Sequence, residues 1–288
     1  MKRGKIALFG HGSPAAAVLD ALNDDRDAHV AMVNTSETEI GPLRATSSRL
    51  GLPTFSIHPR KREEQLRAEL YDHVGEGGIL VSVNYRYLLP GSLLDRFDHA
   101  LNIHGSLLPQ YRGRTPHVWA TINGETETGI SVHRIDEGVD TGPIVCQEVV
   151  PIENWMTGAD LLSEFQARYP RLVLIALHKV LAGEPGTTQD EARASYFGKR
   201  TPDMGLIDFR TPFEHLKNFV RALAPPYPGA YCFLPNGNKV VVEAVRIVNT
   251  TLPGDAPRYA PQRVGGRILV RTDYGVVECL PASEEGSK

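Results

Sequence analysis

Three polar residues in the stretch 102–142, NIHGSLLPQYRGRTPHVWATINGETETGISVHRIDEGVDTG, are of the types needed to manage a proton beside a carbonyl group. Asn102 and His104 are two positions apart, and in an extended segment that spacing puts both side chains on one face. An imidazole titrates near neutral pH, so His104 can take a proton from an amine and return it later. The Asn102 carboxamide can donate to a carbonyl oxygen as negative charge develops there, a contribution commonly worth about 2.7–4 kcal/mol. Asp140 follows on a loop bracketed by Gly138 and Gly142, where its carboxylate can accept a hydrogen bond from the imidazole and fix its tautomer. Base, amide donor and orienter together make one proton-handling set. Ser106 is close to His104, but no GxSxG elbow surrounds it and no seryl acyl-enzyme is expected. His11, His117 and His133 lack HExxH or other zinc spacing, so no metal is expected.

Elements that could carry this set alternate along the first part of the chain. The apolar runs IALFG, HVAMVN and GILVSVNY read as buried strands, and PAAAVLDALND and KREEQLRAELYDHV read as helices between them. That alternation predicts a parallel α/β sheet covered on both faces. GHGSPA (10–15) lacks the last glycine of GxGxxG, so it reads as a strand-to-helix turn and not as a dinucleotide site. Ligands in such sheets sit beyond the strand ends, which makes Gly10, His11, Gly12 and Ser13 candidates to line a substrate cleft. The amides of a helix starting near Ser13 would face an anionic group. Residues 157–182 carry apolar residues at helical spacing with Thr157 or Asp160 as cap, predicting one or two helices interrupted near Pro170. Residues 184–203, rich in Gly, Pro, Thr and charge, read as a linker. Beyond it, an amphipathic helix over 213–223, a hairpin around Asn236-Gly237 and two further alternating strands predict a small barrel. The domain boundaries are therefore 1–183, 184–203 and 204–283, with a disordered tail at 284–288.

Composition is that of an ordinary globular protein: 288 residues, 41% hydrophobic, 23% charged,. IALFG is too short for a secretion signal and is followed at once by His11 and Gly12. Three well-separated cysteines (Cys146, Cys232 and Cys279) argue against a disulfide framework and fit a reducing cytoplasm,. The net charge of −3 gives no global attraction to phosphate polymers, which weakens a nucleic-acid partner without removing a local basic patch,. No run of about 18 apolar residues suggests a membrane span.

The pattern NxHxSLLPxYRG followed by DxGxDTG resembles the folate-dependent formyltransferase family. FGKRTP (197–202), GLIDF (205–209) and RALAPPYPGAY (221–231) resemble the junction and second domain of methionyl-tRNA formyltransferases and of the enzyme that formylates UDP-4-amino-4-deoxyarabinose. The resemblance implies a Rossmann-like N-terminal catalytic domain with a mainly parallel sheet, an OB-like β-barrel C-terminal domain, and 10-formyltetrahydrofolate as formyl donor. It implies that Asn102, His104 and Asp140 are catalytic. It also implies that the loop holding Tyr85, Arg86, Tyr87 and Leu88, largely through main-chain groups, and the turn at Gly138 and Val139 bind the folate. The family closes the loop 106–116 over the site, so Arg112, Gly113, Arg114 and Thr115 are substrate candidates, with the two arginines suited to clamp phosphate or carboxylate.

Two acceptors stay open. Gly105 after the histidine and Tyr-Arg-Gly-Arg after Leu-Leu-Pro resemble the aminosugar version of the family, whereas the translation enzymes tend to carry Ala and an aromatic residue there. No Lys/Arg-rich insertion follows Thr35. A nucleotide-linked amino sugar is favoured, with initiator tRNA as the alternative. Free amines fall away because a purine-pathway enzyme would lack the second domain. The barrel-like domain is also a candidate homodimer surface.

Overall fold

The computed structural model describes residues 4–37 and 41–282, which form two compact units. The tail at 284–288, expected to be disordered, lies outside the described residues. The first unit takes residues up to Gly113, Gly129–Val150 and Ser163–Tyr196, and the second takes Arg114–Thr128, Pro151–Leu162 and the chain from Phe197. The segment 184–203, read as a linker, is thus divided: its first thirteen residues pack into the first unit.

The first unit is built on the strands β1 (Lys5–Gly10), β2 (His29–Thr35), β3 (Thr54–Phe55), β4 (Ile79–Val83), β5 (His99–His104), β7 (Glu127–Arg134) and β8 (Ile144–Pro151), in sheet order β3-β2-β1-β4-β5-β7-β8. A further short strand, β6 (Arg112–Gly113), pairs with β9 (Tyr196–Phe197). The pairs from β3 to β5 are parallel, and β5 pairs antiparallel with β7. This is the Rossmann-like, mainly parallel sheet anticipated from the alternation of apolar runs and helices. Every residue of β4 is buried, as a central strand with both faces covered requires,. Helices α1 (Gly12–Asp24), α2 (Pro42–Arg49) and α3 (Glu63–His73) follow β1, β2 and β3, and the single turn α4 (Gly91–Leu94) precedes β5. Gly10, Val83 and His104 are the C-terminal ends of β1, β4 and β5, and the pairing registers bring them to one edge of the sheet. That edge is where ligands of parallel α/β sheets bind.

The long helix α6 (Gly158–Leu181) runs unbroken through Pro170, so the expected interruption does not occur. Proline inside a helix costs about 3 kcal/mol. Phe165, Tyr169, Leu172, Val173, Ala176 and Leu177 on either side of it are all buried. At about 1.5–3 kcal/mol for each large side chain, that stripe outweighs the proline.

The second unit holds α5 (Pro116–Ile122), the amphipathic α7 (Phe213–Ala222) and a five-stranded antiparallel half-barrel, β10-β11-β14-β13-β12. Its strands are β10 (Ala230–Phe233), β11 (Lys239–Val248), β12 (Gln262–Val264), β13 (Arg267–Thr272) and β14 (Gly275–Pro281). The β10–β11 hairpin turns at Asn236-Gly237, where Gly237 has φ +83°. Its core joins Leu216 and Val220 of α7 to Val242, Ile268, Val270 and Val277 of the sheet. Among the described residues no helix is long and apolar enough to cross a membrane.

One buried carboxylate ties two helices of the first unit together. Glu37 is 5% exposed. It accepts the Gly12 N–H at 2.9 Å, at the start of α1, and those of Leu43 and Arg44 at 3.4 and 3.2 Å, at the start of α2. Free N–H groups at helix starts need such a partner. A Cβ on Gly41 would lie 2.4 Å from Glu37 Cδ, so any other residue there would have to push the carboxylate aside. Glu37→Ala should cost about 2–3 kcal/mol of stability, the scale of a lost helix cap plus charged hydrogen bonds. Urea unfolding checks this; a midpoint unchanged from wild type would show that the carboxylate contributes nothing net.

Candidate active site

Strand β5 ends at the edge just described, and its alternation puts Asn102 and His104 on one face. The antiparallel partner β7 sets His133 opposite Asn102 and Ser131 opposite His104. Asn102 Nδ2 lies 3.1 Å from His133 Nε2, while His133 Nδ1 lies 2.8 Å from the Arg134 carbonyl. A carbonyl only accepts, so Nδ1 carries the proton and Nε2 is left to accept from the Asn102 amide or, when protonated, to face a carboxylate.

Asp140 supplies that carboxylate. Its Oδ2 is 3.5 Å from His104 Nδ1 and its Oδ1 is 3.5 Å from His133 Nε2. The Gly113 N–H donates to Oδ2 at 2.9 Å. Of the three residues predicted to act together, Asp140 faces His104 directly, and Asn102 joins them through His133, which faces both it and Asp140. Sequence reading passed over His133 because only the antiparallel register of β7 against β5 reveals it.

His104 is 6% exposed, and its Nε2 donates to the Tyr111 carbonyl at 2.8 Å. That bond, and not Asp140 as expected, fixes the tautomer, and it leaves Nδ1 as the basic nitrogen on the Asp140 side. Burial pulls the His104 pKa below its ordinary value and prevails over the Asp140 carboxylate and the Tyr111 carbonyl, which push it up; His133 adds to the lowering,. Burial pushes the Asp140 carboxyl upward, but the His104 charge, the His133 hydrogen bond and charge, and the Gly113 N–H more than reverse it. The group sits well below the usual carboxylate range. At neutral pH the arrangement is a neutral imidazole beside an ionised carboxylate: it can accept one proton and hold it.

Backbone strain gathers at this edge. Asn84, Tyr111 and Asp140 have φ of +54°, +58° and +57°. Residues with a Cβ enter that region only where their surroundings over-determine it, and such residues cluster at functional sites.

The loop after β4 carries Tyr85, Arg86, Tyr87 and Leu88. Tyr85 points inward: its hydroxyl accepts from Asn34 Nδ2 at 2.9 Å and lies 3.3 Å from the Ile57 carbonyl, and burial raises its pKa so that it stays protonated. Tyr87 packs on the His58 ring at 4.2 Å between centroids. Arg86 Nη2 lies 2.6 Å from His11 Nε2. Burial and then the Arg86 charge hold His11 below its ordinary pKa, with Glu37 opposing. Leu88 is 58% exposed and Val139 41% exposed. Gly138 is needed at its turn, since a Cβ would lie 2.0 Å from Thr141 Oγ1. The two loops adjoin, for a Cβ on Gly91 would be 3.1 Å from Glu137 Oε1. The two adjoining loops thus each present an exposed aliphatic side chain, Leu88 and Val139.

The substrate candidates separate. Gly10 is buried, and a Cβ there would meet the Ala15 Cβ at 2.5 Å; it serves close packing of β1 on α1. The Gly12 amide, expected to face an anion, is taken by Glu37, while Ser13 is exposed at the helix start. Arg112 is corrected outright: its side chain is 0% exposed. The guanidinium donates to Gln189 Oε1 at 2.8 and 3.2 Å and to both Glu191 oxygens at 2.6 and 2.9 Å, and it also bonds the Tyr196 hydroxyl. An arginine with its donors so committed is not a substrate clamp. Gly113 gives its N–H to Asp140, as above. Arg114 and Thr115 belong to the second unit, where the Arg114 N–H donates to the Phe197 carbonyl at 3.0 Å. Thr115, at φ +51°, lines a small cavity of that unit with Val118, Arg200 and Tyr227. Among the described residues, Asp25, Asp27 and His178 could hold a cation, but they lie at the surface, and Asp25 already bonds the Asp27 N–H at 2.8 Å and His178 at 3.2 Å.

Residues 4–176 match the family model described as formyl transferase, and residues 199–288 match the model of the formyl transferase C-terminal domain. An N-formyltransferase from Helicobacter canadensis, solved in complex with folinic acid and dTDP-3-aminofucose, superposes with a TM-score of 0.73 at 17% identity, over 96% of this chain and 99% of that one. WlaRD, a sugar 3N-formyltransferase solved with dTDP and 5-N-formyl-THF, gives 0.73 at 18% identity, over 99% and 100%. HypX from Aquifex aeolicus, in complex with tetrahydrofolic acid, gives 0.64 at 18% identity, over 96% of this chain and 44% of that one. At these identities the likeness to the solved structures shows the fold.

A carboxyl depressed in the folded state stabilises it at pH above the unfolded value, near 3.9, and that contribution is lost as pH falls through the folded value. Asp140→Asn should therefore unfold at lower urea than wild type at neutral pH, with the gap narrowing below about pH 4. A gap of constant size from neutral pH to about pH 3 would show that Asp140 is not held as an ion.

Proposed function

Because this chain belongs to the formyl transferase family, we propose that it takes the formyl group of 10-formyltetrahydrofolate and hands it to the primary amine of a nucleotide-linked amino sugar. The observation that carries this is the meeting of Asn102, His104 and Asp140 at the C-terminal edge of the sheet, with a neutral imidazole beside an ionised carboxylate.

The folate supplies the activated formyl group. The main chain at 84–88 and the turn at Gly138 and Val139 would hold it, with Leu88 and Val139 offering apolar surface. His104 Nδ1 takes the proton that the attacking amine must lose. The imidazolium so formed lies between the Asp140 carboxylate and the Tyr111 carbonyl, both of which favour it. The Asn102 amide donates to the formyl oxygen as charge develops on it. His104 then returns the proton to the leaving nitrogen, and no residue is acylated on the way.

The acceptor reading rests on three supports. The formyltransferases from Helicobacter canadensis and WlaRD were solved with dTDP-linked ligands, the net charge is −3, and Gly105 with the Tyr-Arg-Gly-Arg run resembles the aminosugar version of the family. His11 and Arg86 put cationic capacity at the mouth of β1 and β4, suited to a nucleotide phosphate.

His104→Ala should lower kcat by roughly 10²–10⁴-fold, the usual span of general acid–base catalysis. Asn102→Ala should lower it by about 10²–10³-fold, as loss of an oxyanion donor does. Transfer of label from 10-formyltetrahydrofolate to a panel of UDP-, dTDP- and GDP-linked 3- and 4-amino sugars measures both. Label passing to methionyl-tRNA and to no sugar in the panel would overturn the acceptor.

A further inference from the structure

Gln189 lies in the segment that reads as a linker, yet it is 7% exposed and its carboxamide is used at both ends. Nε2 donates to the Asp140 carbonyl at 2.8 Å and to the Gly142 carbonyl at 2.7 Å. Oε1 accepts from Arg112 Nη2 at 2.8 Å and from Nε at 3.2 Å. Two donors toward carbonyls and two lone pairs toward a guanidinium exhaust what a carboxamide has. A carboxylate here would face both carbonyls with negative charge, and an ammonium would face the buried arginine.

The turn that Gln189 grips is one that will not hold itself. Asp140 has φ +57°, and Gly142 is pressed so closely on Arg134 that a Cβ would lie 1.9 Å from its carbonyl oxygen. The same strap reaches the other partner of His104: Ser195 O accepts the Arg112 N–H at 2.8 Å, and Ser195 Oγ accepts the Tyr111 N–H at 2.9 Å. Tyr111 in turn offers its carbonyl to His104 Nε2.

We infer that Gln189 is a positioning residue for formyl transfer, holding the backbone of Asp140 and Gly142 against the buried Arg112 so that the Asp140 carboxylate stays at His104. This rests on the reading of His104 and Asp140 as the proton-handling pair, but it can be tested without turnover.

Two variants separate the arms. Gln189→Met removes both donors without adding charge. Gln189→Glu keeps an acceptor for Arg112, so that the buried guanidinium stays paired, and replaces the grip on the turn with repulsion between the carboxylate and the two carbonyls. Both should lower kcat roughly 10²-fold, the scale of a misplaced catalytic group, with KM for donor and acceptor unchanged and with little added loss in an Asp140→Asn background.

In Gln189→Met the His104 ring, followed by NMR, should titrate lower than in wild type, because the carboxylate that raises it has moved while His133 and the Tyr111 carbonyl remain. Wild-type kcat in Gln189→Glu, an undiminished loss in the Asp140→Asn background, or an unmoved His104 titration in folded Gln189→Met would each overturn the inference. Should Gln189→Met not fold, the kinetics of Gln189→Glu decide. Should the wild type formylate no amine, the functional reading fails and the titration still decides the positioning.

Discussion

An imidazole stripped of water must have both ring nitrogens answered by the protein, and His104 has one partner of each kind. Its Nε2–H goes to a backbone carbonyl, and its Nδ1 faces a carboxylate at 3.5 Å. Much of the first unit maintains that asymmetry. The carbonyl belongs to Tyr111, a residue at positive φ, and the carboxylate to Asp140, another. Neither conformation is favourable on its own, so both must be held from outside. The register of β5 against β7 adds His133 at the far side of the carboxylate. Burial depresses the imidazole and the cationic and N–H neighbours depress the carboxyl. A group ready to accept a proton therefore sits beside one ready to stabilise it after transfer.

Much of this was legible in the sequence, and the reasons differ by level. Alternating apolar runs and amphipathic helices gave the parallel sheet because both patterns follow from local periodicity. The Asn236-Gly237 turn marked its hairpin because few residues tolerate positive φ. Asn102 and His104 share a face by strand geometry alone. His133 was not legible, since its place depends on a pairing 31 residues distant and on the strand direction. Arg112 was misread for a related reason. In a loop of Pro, Gly and Arg a guanidinium reads as available to clamp an anion, and its acceptors, Gln189, Glu191 and Tyr196, lie some 80 residues on in a stretch whose composition suggests a linker. Pro170 misled by local rule: the apolar stripe around it outweighs the missing hydrogen bond.

Glu37 is a similar case with a functional consequence. A turn between a parallel strand and a helix normally presents free N–H groups to a ligand anion. Here an internal carboxylate accepts the Gly12 N–H and two from α2. The Gly12 N–H at the start of the first helix is thereby taken, and a carboxylate is placed under the turn. A phosphate approaching that turn meets a carboxylate in the place where an open helix start would attract it. Cationic capacity at the same edge comes instead from His11 and Arg86, whose side chains touch at 2.6 Å.

That pairing sets a condition on any anionic acceptor. Burial and then the Arg86 charge hold His11 below its ordinary pKa, with Glu37 opposing. A phosphate bound beside His11 would raise its pKa, so anion binding and the protonation of His11 favour one another. Both imidazoles at this edge are held below their ordinary pKa, and burial is the first cause in each,. They differ in what opposes the lowering: His104 has the Asp140 carboxylate at 3.5 Å, whereas His11 has the Glu37 carboxylate, which already answers three backbone N–H groups, and the Arg86 charge works against it.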